Sequence, residues 1–262
     1  MKLNTQNTGI IIKNLTKKYG EYIAVDDISI KVNHGEIFGF LGPNGAGKTT
    51  TIKILAGLLK PDQGEIIING HDIEKDPMKC KLTTGHIPDR PFIYEKLTGN
   101  EFLRFIASLY NISAKIFNKN VDYLLSLFDL LEWKDHLIES YSHGMRQKLI
   151  MTSVFMLETP TIIVDEPMVG LDPKSAKIVK ELFKKHASNG GSIFLSTHSL
   201  EIAEELCDKI AIILNGKIRT IGNMDDLRKE AHLQSSDLED VFLELTASED
   251  LKGVIQVLKN KT

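Results

Sequence analysis

The chain is predicted to be an α/β protein: a mainly parallel core sheet, an antiparallel β part beside it, and an inserted run of helices. Three observations predict this. A glycine-rich loop, Gly42–Thr50, sits between an apolar strand, Glu36–Leu41, and a helical pattern that follows at once. A second apolar strand, Thr161–Asp165, ends in the adjacent carboxylates Asp165 and Glu166. Between them, from about residue 90 to 158, the apolar spacing is helical and no strand pattern is present.

Composition sets the frame. The 262 residues suffice for one large α/β domain with an insertion, or for two modest domains. An apolar fraction of 42% and a charged fraction of 26% are those of an ordinary globular protein. A net charge of −3, with no basic stripe interleaved with aromatics, gives no reason to expect a nucleic-acid partner. The first residues lack the apolar core of a signal peptide, and the longest apolar run is Ile210–Leu214. A soluble chain that reaches any membrane through a partner is the expectation. Cys80 and Cys207 form no C-x-x-C pair and are expected to be buried free thiols. The histidines are scattered, so no zinc site is expected.

In chain order, Ile10–Ile12, Tyr22–Val25 and Ile28–Val32 read as short strands. Tyr19 between them is either a strand-end aromatic or a flat face on which a base can stack. Asn33-His34-Gly35 turns the chain into the strand that feeds the glycine loop.

The loop Gly42-Pro43-Asn44-Gly45-Ala46-Gly47-Lys48-Thr49-Thr50 matches the phosphate-binding pattern G-x-x-x-x-G-K-[ST]. Glycine lets successive backbone N–H groups converge on an anion, and the following helix adds the positive end of its dipole. Lys48 places a point charge on the β- and γ-phosphates, and the Thr49 hydroxyl ligates Mg²⁺. The helix is read over Thr51–Leu59, with Ile52, Leu55, Leu58 and Leu59 on its apolar face. Glu65–Asn69 is a strand closed by an Asn69-Gly70 hairpin turn.

Thr84–Pro91 begins as a short strand and ends in a proline-rich hinge containing Asp89. Apolar positions 102, 103, 106, 109 and 110 predict one amphipathic helix, and 121, 124, 125, 128 and 131 another. Ser142 then caps an almost wholly apolar helix; this is either a simple capped helix or a second phosphate-binding helix start. Ligands gather at the carboxyl ends of parallel strands, where one of Asp165 and Glu166 can hold Mg²⁺ through water and its neighbour can polarise an attacking water. Asp172 and Pro173 open a helix that runs to about Ser188. Ser192–His198 is a strand whose terminal histidine is either a hydrogen-bonded polar residue or a group at the γ-phosphate. Ser199–Cys207 reads as a helix, Lys209–Leu214 and Lys217–Ile221 as a hairpin about Asn215-Gly216, and residues 225–262 as a mixed-charge, partly helical tail.

Together these elements resemble the nucleotide-binding subunit of ATP-binding-cassette (ABC) transporters over about residues 9–222. Gly42–Thr50 is similar to the family's Walker A loop, and Ser142-His143-Gly144-Met145 to its signature. Ile162–Glu166 is similar to Walker B with its catalytic glutamate, Gly170-Leu171-Asp172 to the loop that communicates across the dimer, and His198 to the switch histidine. Tyr19 falls where the family places its adenine-stacking aromatic. Three positions depart from the pattern: His143 replaces the first signature glycine, Met145 the signature glutamine, and Asp89 the hinge glutamine. Asp89 can still ligate Mg²⁺, directly or through water.

The resemblance implies a P-loop ATPase of the ABC type, with an antiparallel β part and the first half of the core over 9–88. It implies a helical subdomain over 89–159, the rest of the core over 160–222 and a tail over 223–262. It further implies a head-to-tail dimer with a second ATP-binding subunit, ATP and Mg²⁺ as cofactors, Glu166, His198 and Lys48 as the catalytic groups, and a peripheral place for this chain at the cytoplasmic face of the cell membrane, held there by a separate transmembrane subunit. The signature form, Leu97-Thr98-Gly99 and the Leu238–Phe242 tail look most like bacterial exporters. A cassette ATPase acting on nucleic acid or ribosomes is the alternative, set against the short spacing between Thr50 and Ser142 and the absence of an internal repeat. A monomeric phosphate-loop kinase would need neither the Ser142 helix start nor the Asp172 loop.

Overall fold

A computed structural model describes residues 7–233 and 236–246. Two sheets carry the architecture. The first is antiparallel, with order β2-β1-β4-β5, and is built from β1 (Thr8–Tyr19), β2 (Tyr22–Asn33), β4 (Gln63–Ile68) and β5 (His71–Asp72). The second has order β10-β9-β3-β8-β7-β6. In it β6 (Thr84–Ile87), β7 (Thr161–Asp165), β8 (Ser192–Thr197), β3 (Ile37–Leu41) and β9 (Lys209–Leu214) run parallel. β10 (Lys217–Gly222) closes that edge antiparallel to β9.

The central strands β3, β7 and β8 are buried at every position, which is why their sequences read as continuous apolar runs rather than alternating ones. The sheets sandwich an apolar layer in which Phe194 packs on Phe38 and Phe40, with ring centroids 5.6 and 5.3 Å apart. Ile52, Ile54 and Leu55 of α1 (Lys48–Leu55) fill the same layer. On the other face, α3 (Gly99–Leu109), α4 (Ala114–Leu127), α5 (His143–Phe155) and α6 (Pro173–Ser188) share one core with β7 and β8 through Leu103, Leu125, Leu149, Val164, Phe183 and Leu195. A third cluster joins α7 (Leu200–Leu206), α8 (Met224–Glu230) and α9 (Leu238–Thr246) to the β9 edge. The tail beyond residue 246 lies outside the described residues.

Several expectations are corrected. The first two strands are long and continuous because Asn14 and Asp27, at φ of 50° and 55°, absorb an irregularity in the pairing; Asn14 Nδ2 donates to Asp27 Oδ1 at 2.8 Å. Asparagine and aspartate tolerate that backbone region, so the strands bend instead of breaking. α1 stops at Leu55, since Gly57 turns left-handed at φ 66°, and Leu58 is exposed rather than buried. The second helix of the insertion starts earlier, at Ala114 behind the Ser113 cap, and ends at Leu127. α2 (Pro77–Leu82) was not expected; six residues are too few to show a period. Cys207 is only partly buried as a residue, although its thiol packs at the Gly39 backbone and burial raises its pKa, as it does for buried Cys80.

Candidate functional site

The glycine loop leaves the end of β3 under tight steric control. A Cβ on Gly42 would lie 2.4 Å from the Ile213 carbonyl oxygen, and one on Gly47, at φ 110°, 2.5 Å from that of Ala24. The loop is pinned from below, where Gly216 N donates to Ala46 O at 3.0 Å. α1 begins behind Gly47 with no side-chain cap, so its first N–H groups face the loop's concavity. Lys48 is buried, and its Nζ donates to the carbonyls of Gly42 (2.6 Å) and Pro43 (3.1 Å). Burial lowers the Lys48 pKa, while the Glu166 and Asp165 carboxylates pull it back up.

Both acids arrive on the end of β7. Asp165 is buried and accepts a hydrogen bond from Ser196 Oγ of β8. Burial raises its pKa, with the Asp89 and Glu166 charges acting the same way, against the hydroxyls of Ser196 and Thr49. The chain then turns at Glu166, φ 48°, whose N–H donates to Ser196 O at 3.1 Å. Its carboxylate accepts from Thr197 Oγ1 at 3.3 Å and meets His198 Nδ1 at 2.8 Å. Two groups from the end of β8 therefore fix the acid's direction. Among the described residues no cluster of three or more His, Cys, Asp and Glu forms a metal cage. Thr49, Asp165 and Asp89 bring side-chain oxygens to one cleft, donors of the hard kind that would suit a Mg²⁺ ion.

One cleft of about 390 Å³ gathers Tyr19, Asn44, Gly45, Gly47, Lys48, Thr49, Thr50, Asp89, Asp165, Glu166 and His198. Tyr22 and Val169 join it without having been anticipated. Tyr22 pairs with Tyr19 across the two-residue turn at Gly20 and Glu21, and its hydroxyl reaches Gly45 O at 3.3 Å. The near-symmetric Tyr-Gly-Glu-Tyr was the available signal. Ser142, His143, Gly144 and Met145 are not in this cleft. They open α5, where Ser142 Oγ accepts from Met145 N at 3.3 Å. Asp172 caps α6, accepts from Ser175 N and Oγ at 2.9 and 2.7 Å, and pairs with Lys148 of α5 at 2.7 Å. Lys148, then Ser175, holds the Asp172 carboxyl well below the usual carboxylate range.

A larger apolar groove of about 730 Å³ lies on the other side of Asp89, between α1, α3 and α5. Phe92, Phe102, Phe105, Ile106, Leu109 and Ile150 line it, and it shares Thr49, Asp89 and Asp165 with the first cleft. Its floor holds His86, whose Nε2 is buried without a hydrogen-bond partner and whose pKa burial pushes down to about 4. Among the described residues no helix is long and apolar enough to cross a membrane.

The family model described as ABC transporter matches residues 25–169. The ABC-type transporter ATP-binding protein EcsA of Bacillus subtilis is 34% identical over 90% of this chain and 95% of its own length. The linearmycin resistance ATP-binding protein LnrL of the same organism is 36% identical over 82% and 69%. Among solved structures, the ATP-binding subunit of an ABC transporter superposes with a TM-score of 0.88 at 35% identity, covering 91% of this chain and 99% of that one. A dimeric post-hydrolysis cassette, MJ0796 with ADP and Pi, shares the fold at a TM-score of 0.74 and 23% identity, over 82% and 98%.

Proposed function

The chain belongs to the ABC transporter family of ATP-binding proteins, and from that membership we propose that it is the ATP-hydrolysing subunit of an exporter whose membrane-spanning part is a separate chain. The observation that carries the proposal is a division. One cleft collects the loop, both acids and His198, while the signature residues Ser142–Met145 stand outside it. A site built that way is completed by a second copy, or by a second cassette chain, docked head to tail.

In the proposed mechanism the triphosphate lies on the N–H groups of Gly42–Thr50, with the adenine against Tyr19 and Tyr22. Lys48, already pointing across the loop, transfers its hydrogen bonds from carbonyl oxygens to phosphate oxygens, a charge-assisted and therefore stronger pairing. Thr49, Asp165 and Asp89 would hold Mg²⁺, directly or through water, and the ion would offset the negative charge on the phosphates. Glu166, fixed by Thr197 and His198, orients water in line with the γ-phosphate and accepts its proton. The partner's signature helix closes over the same phosphate. ATP thereby favours the closed dimer and hydrolysis releases it, a ligand-driven population shift. Residues 89–159 move as a unit against a core made of 9–88 and 160–222. Asp89 is the wall between cleft and groove, and the groove receives a segment of the membrane subunit at the cytoplasmic face. Kinship with a drug-resistance protein supports export.

The test is to tag the chain in its host, solubilise membranes gently and identify what co-purifies. A multi-span membrane protein at one-to-one stoichiometry is expected. Ribosomal or DNA-bound partners without a membrane protein would overturn the transport reading.

A further inference from the structure

A cavity of about 550 Å³ lies at the other end of the parallel strands and shares no residue with the nucleotide cleft or the groove. It opens where β7 and β8 begin, between α4, the end of α5 and the end of α6, with about 13 Å of β7 between it and Asp165. Tyr123 and Leu124 of α4, Phe155 of α5 and Leu182 of α6 give it apolar walls. Its lining holds one acid and one lysine. Glu158 stands in the link from α5 to β7 at φ 51°, and its Oε1 accepts from Asn120 Nδ2 of α4 at 3.1 Å, a bond that fixes the carboxylate without neutralising it. Lys185 is exposed in the last turn of α6. Among the described residues neither forms an ion pair, with the other or with any third group. His186, in the same lining, is kept from carrying charge by burial, which lowers its pKa, and its Nε2 is buried without a hydrogen-bond partner.

A lysine in the last turn of a helix complements the helix dipole, which accounts for Lys185 by itself. It does not account for an unpaired acid and an unpaired base in one partly apolar lining. We infer that the cavity is a binding site for a small zwitterion with an apolar side chain, the chemistry of an aliphatic or aromatic α-amino acid. Lys185 takes the carboxylate, Glu158 takes the ammonium group, and Tyr123, Phe155 and Leu182 cover the side chain. Both polar ends are charge-assisted hydrogen bonds, the stronger class, and the volume is that of an ordinary small-molecule site. Glu158 ends the helical part and Lys185 stands on the core helix α6, so an occupied site ties the two parts together. That consequence rests on the movement of residues 89–159 proposed above; the binding itself does not.

The experiment titrates the full chain with L-phenylalanine and with L-leucine, following saturation transfer to the ligand by NMR, beside phenylacetate, which lacks the ammonium group. At least one amino acid is expected to bind with a Kd of about 1 mM or tighter, and phenylacetate about tenfold more weakly than phenylalanine. Lys185→Met is expected to weaken the amino acid and phenylacetate alike, by about tenfold. Glu158→Gln keeps an acceptor for Asn120 and is expected to weaken the amino acid by the same factor while leaving phenylacetate unchanged. Leu109→Glu, in the groove, is expected to change neither. No saturable binding of either amino acid up to about 10 mM, binding indifferent to both charge substitutions, or phenylacetate bound as well as phenylalanine would each overturn the site. The tie between the two parts is read separately: the saturating amino acid is expected to lower ATP turnover about fivefold in the parent and not in Lys185→Met. Turnover unchanged while binding persists would overturn the tie and leave the site standing.

Discussion

The two cavities that meet at Asp89 are opposites in construction. The nucleotide cleft is lined by backbone, hydroxyls, acids and a lysine, and nearly every group in it is held by a partner: Lys48 by two carbonyls, Asp165 by Ser196, Glu166 by Thr197 and His198. The groove is nearly twice as large and lined mostly by aromatic and aliphatic side chains, with Phe92 85% exposed and Leu109 54% exposed. The first is a pre-organised polar site, which suits charge stabilisation in catalysis. The second is an apolar surface of the kind that marks an interaction site. On the proposed reading, chemistry and docking occupy separate surfaces joined by a few shared residues, and each should be breakable without the other.

The sharpest break is on the cleft side. Glu166→Gln is expected to lower ATP turnover by about a thousandfold, the scale of a lost general base, while ATP affinity and the groove are untouched. Turnover and nucleotide affinity measured on the same preparation check this. Unchanged hydrolysis would remove Glu166 as the base, and a parallel loss of binding would mean that its role is to hold the site together.

The matching break on the groove side is Leu109→Glu. The position is half exposed, so the isolated chain should keep its melting temperature and ATP affinity. Seating a membrane subunit over an unpaired carboxylate costs several kcal/mol, so recovery of that subunit is expected to fall by about a hundredfold. Equal recovery from parent and variant would place the docking surface elsewhere.

The same contrast explains what could be read from the sequence. The cleft was legible because its groups are local: a loop with fixed glycine spacing, two acids in a row on a strand end, a histidine on the neighbouring strand end. Tyr22 was missed because its role depends on the hairpin that folds it back toward Gly45. The groove could not be read in the same way. Periodicity marked 102, 103, 106 and 109 as one apolar face of α3, and Phe102 and Leu103 are indeed buried, yet Leu109 is left uncovered. A period says which residues are apolar on one side, not whether this chain or another covers them. Leu58 teaches the same lesson, its apolar character matching the helix pattern although α1 has already ended. Strand limits at Asn14 and Asp27 were misread for a different reason, since residues that tolerate positive φ signal a break and a bend alike.

The smallest of the expected effects separates the cavities by the sign of their response to acid. In the groove, burial pushes the His86 pKa down to about 4 from 6.5, because a charged imidazole is poorly solvated there. Between those values the unfolded chain binds a proton that the folded chain does not, so stability is full above pH 6.5 and declines as pH falls toward 4. The whole term is about 3 kcal/mol at most, by the usual conversion of a pKa difference to free energy. In the cleft, burial raises the Asp165 pKa, so acid relieves that site while it loads the groove. His86→Phe removes the groove's contribution and leaves Asp165 in place. The stability of the parent relative to this variant, from urea unfolding at pH 7.5, 6 and 5, is expected to fall stepwise with pH, because all other groups cancel in the difference. A difference independent of pH would mean that water or a neighbour reaches the imidazole, and that the groove floor is more polar than its walls.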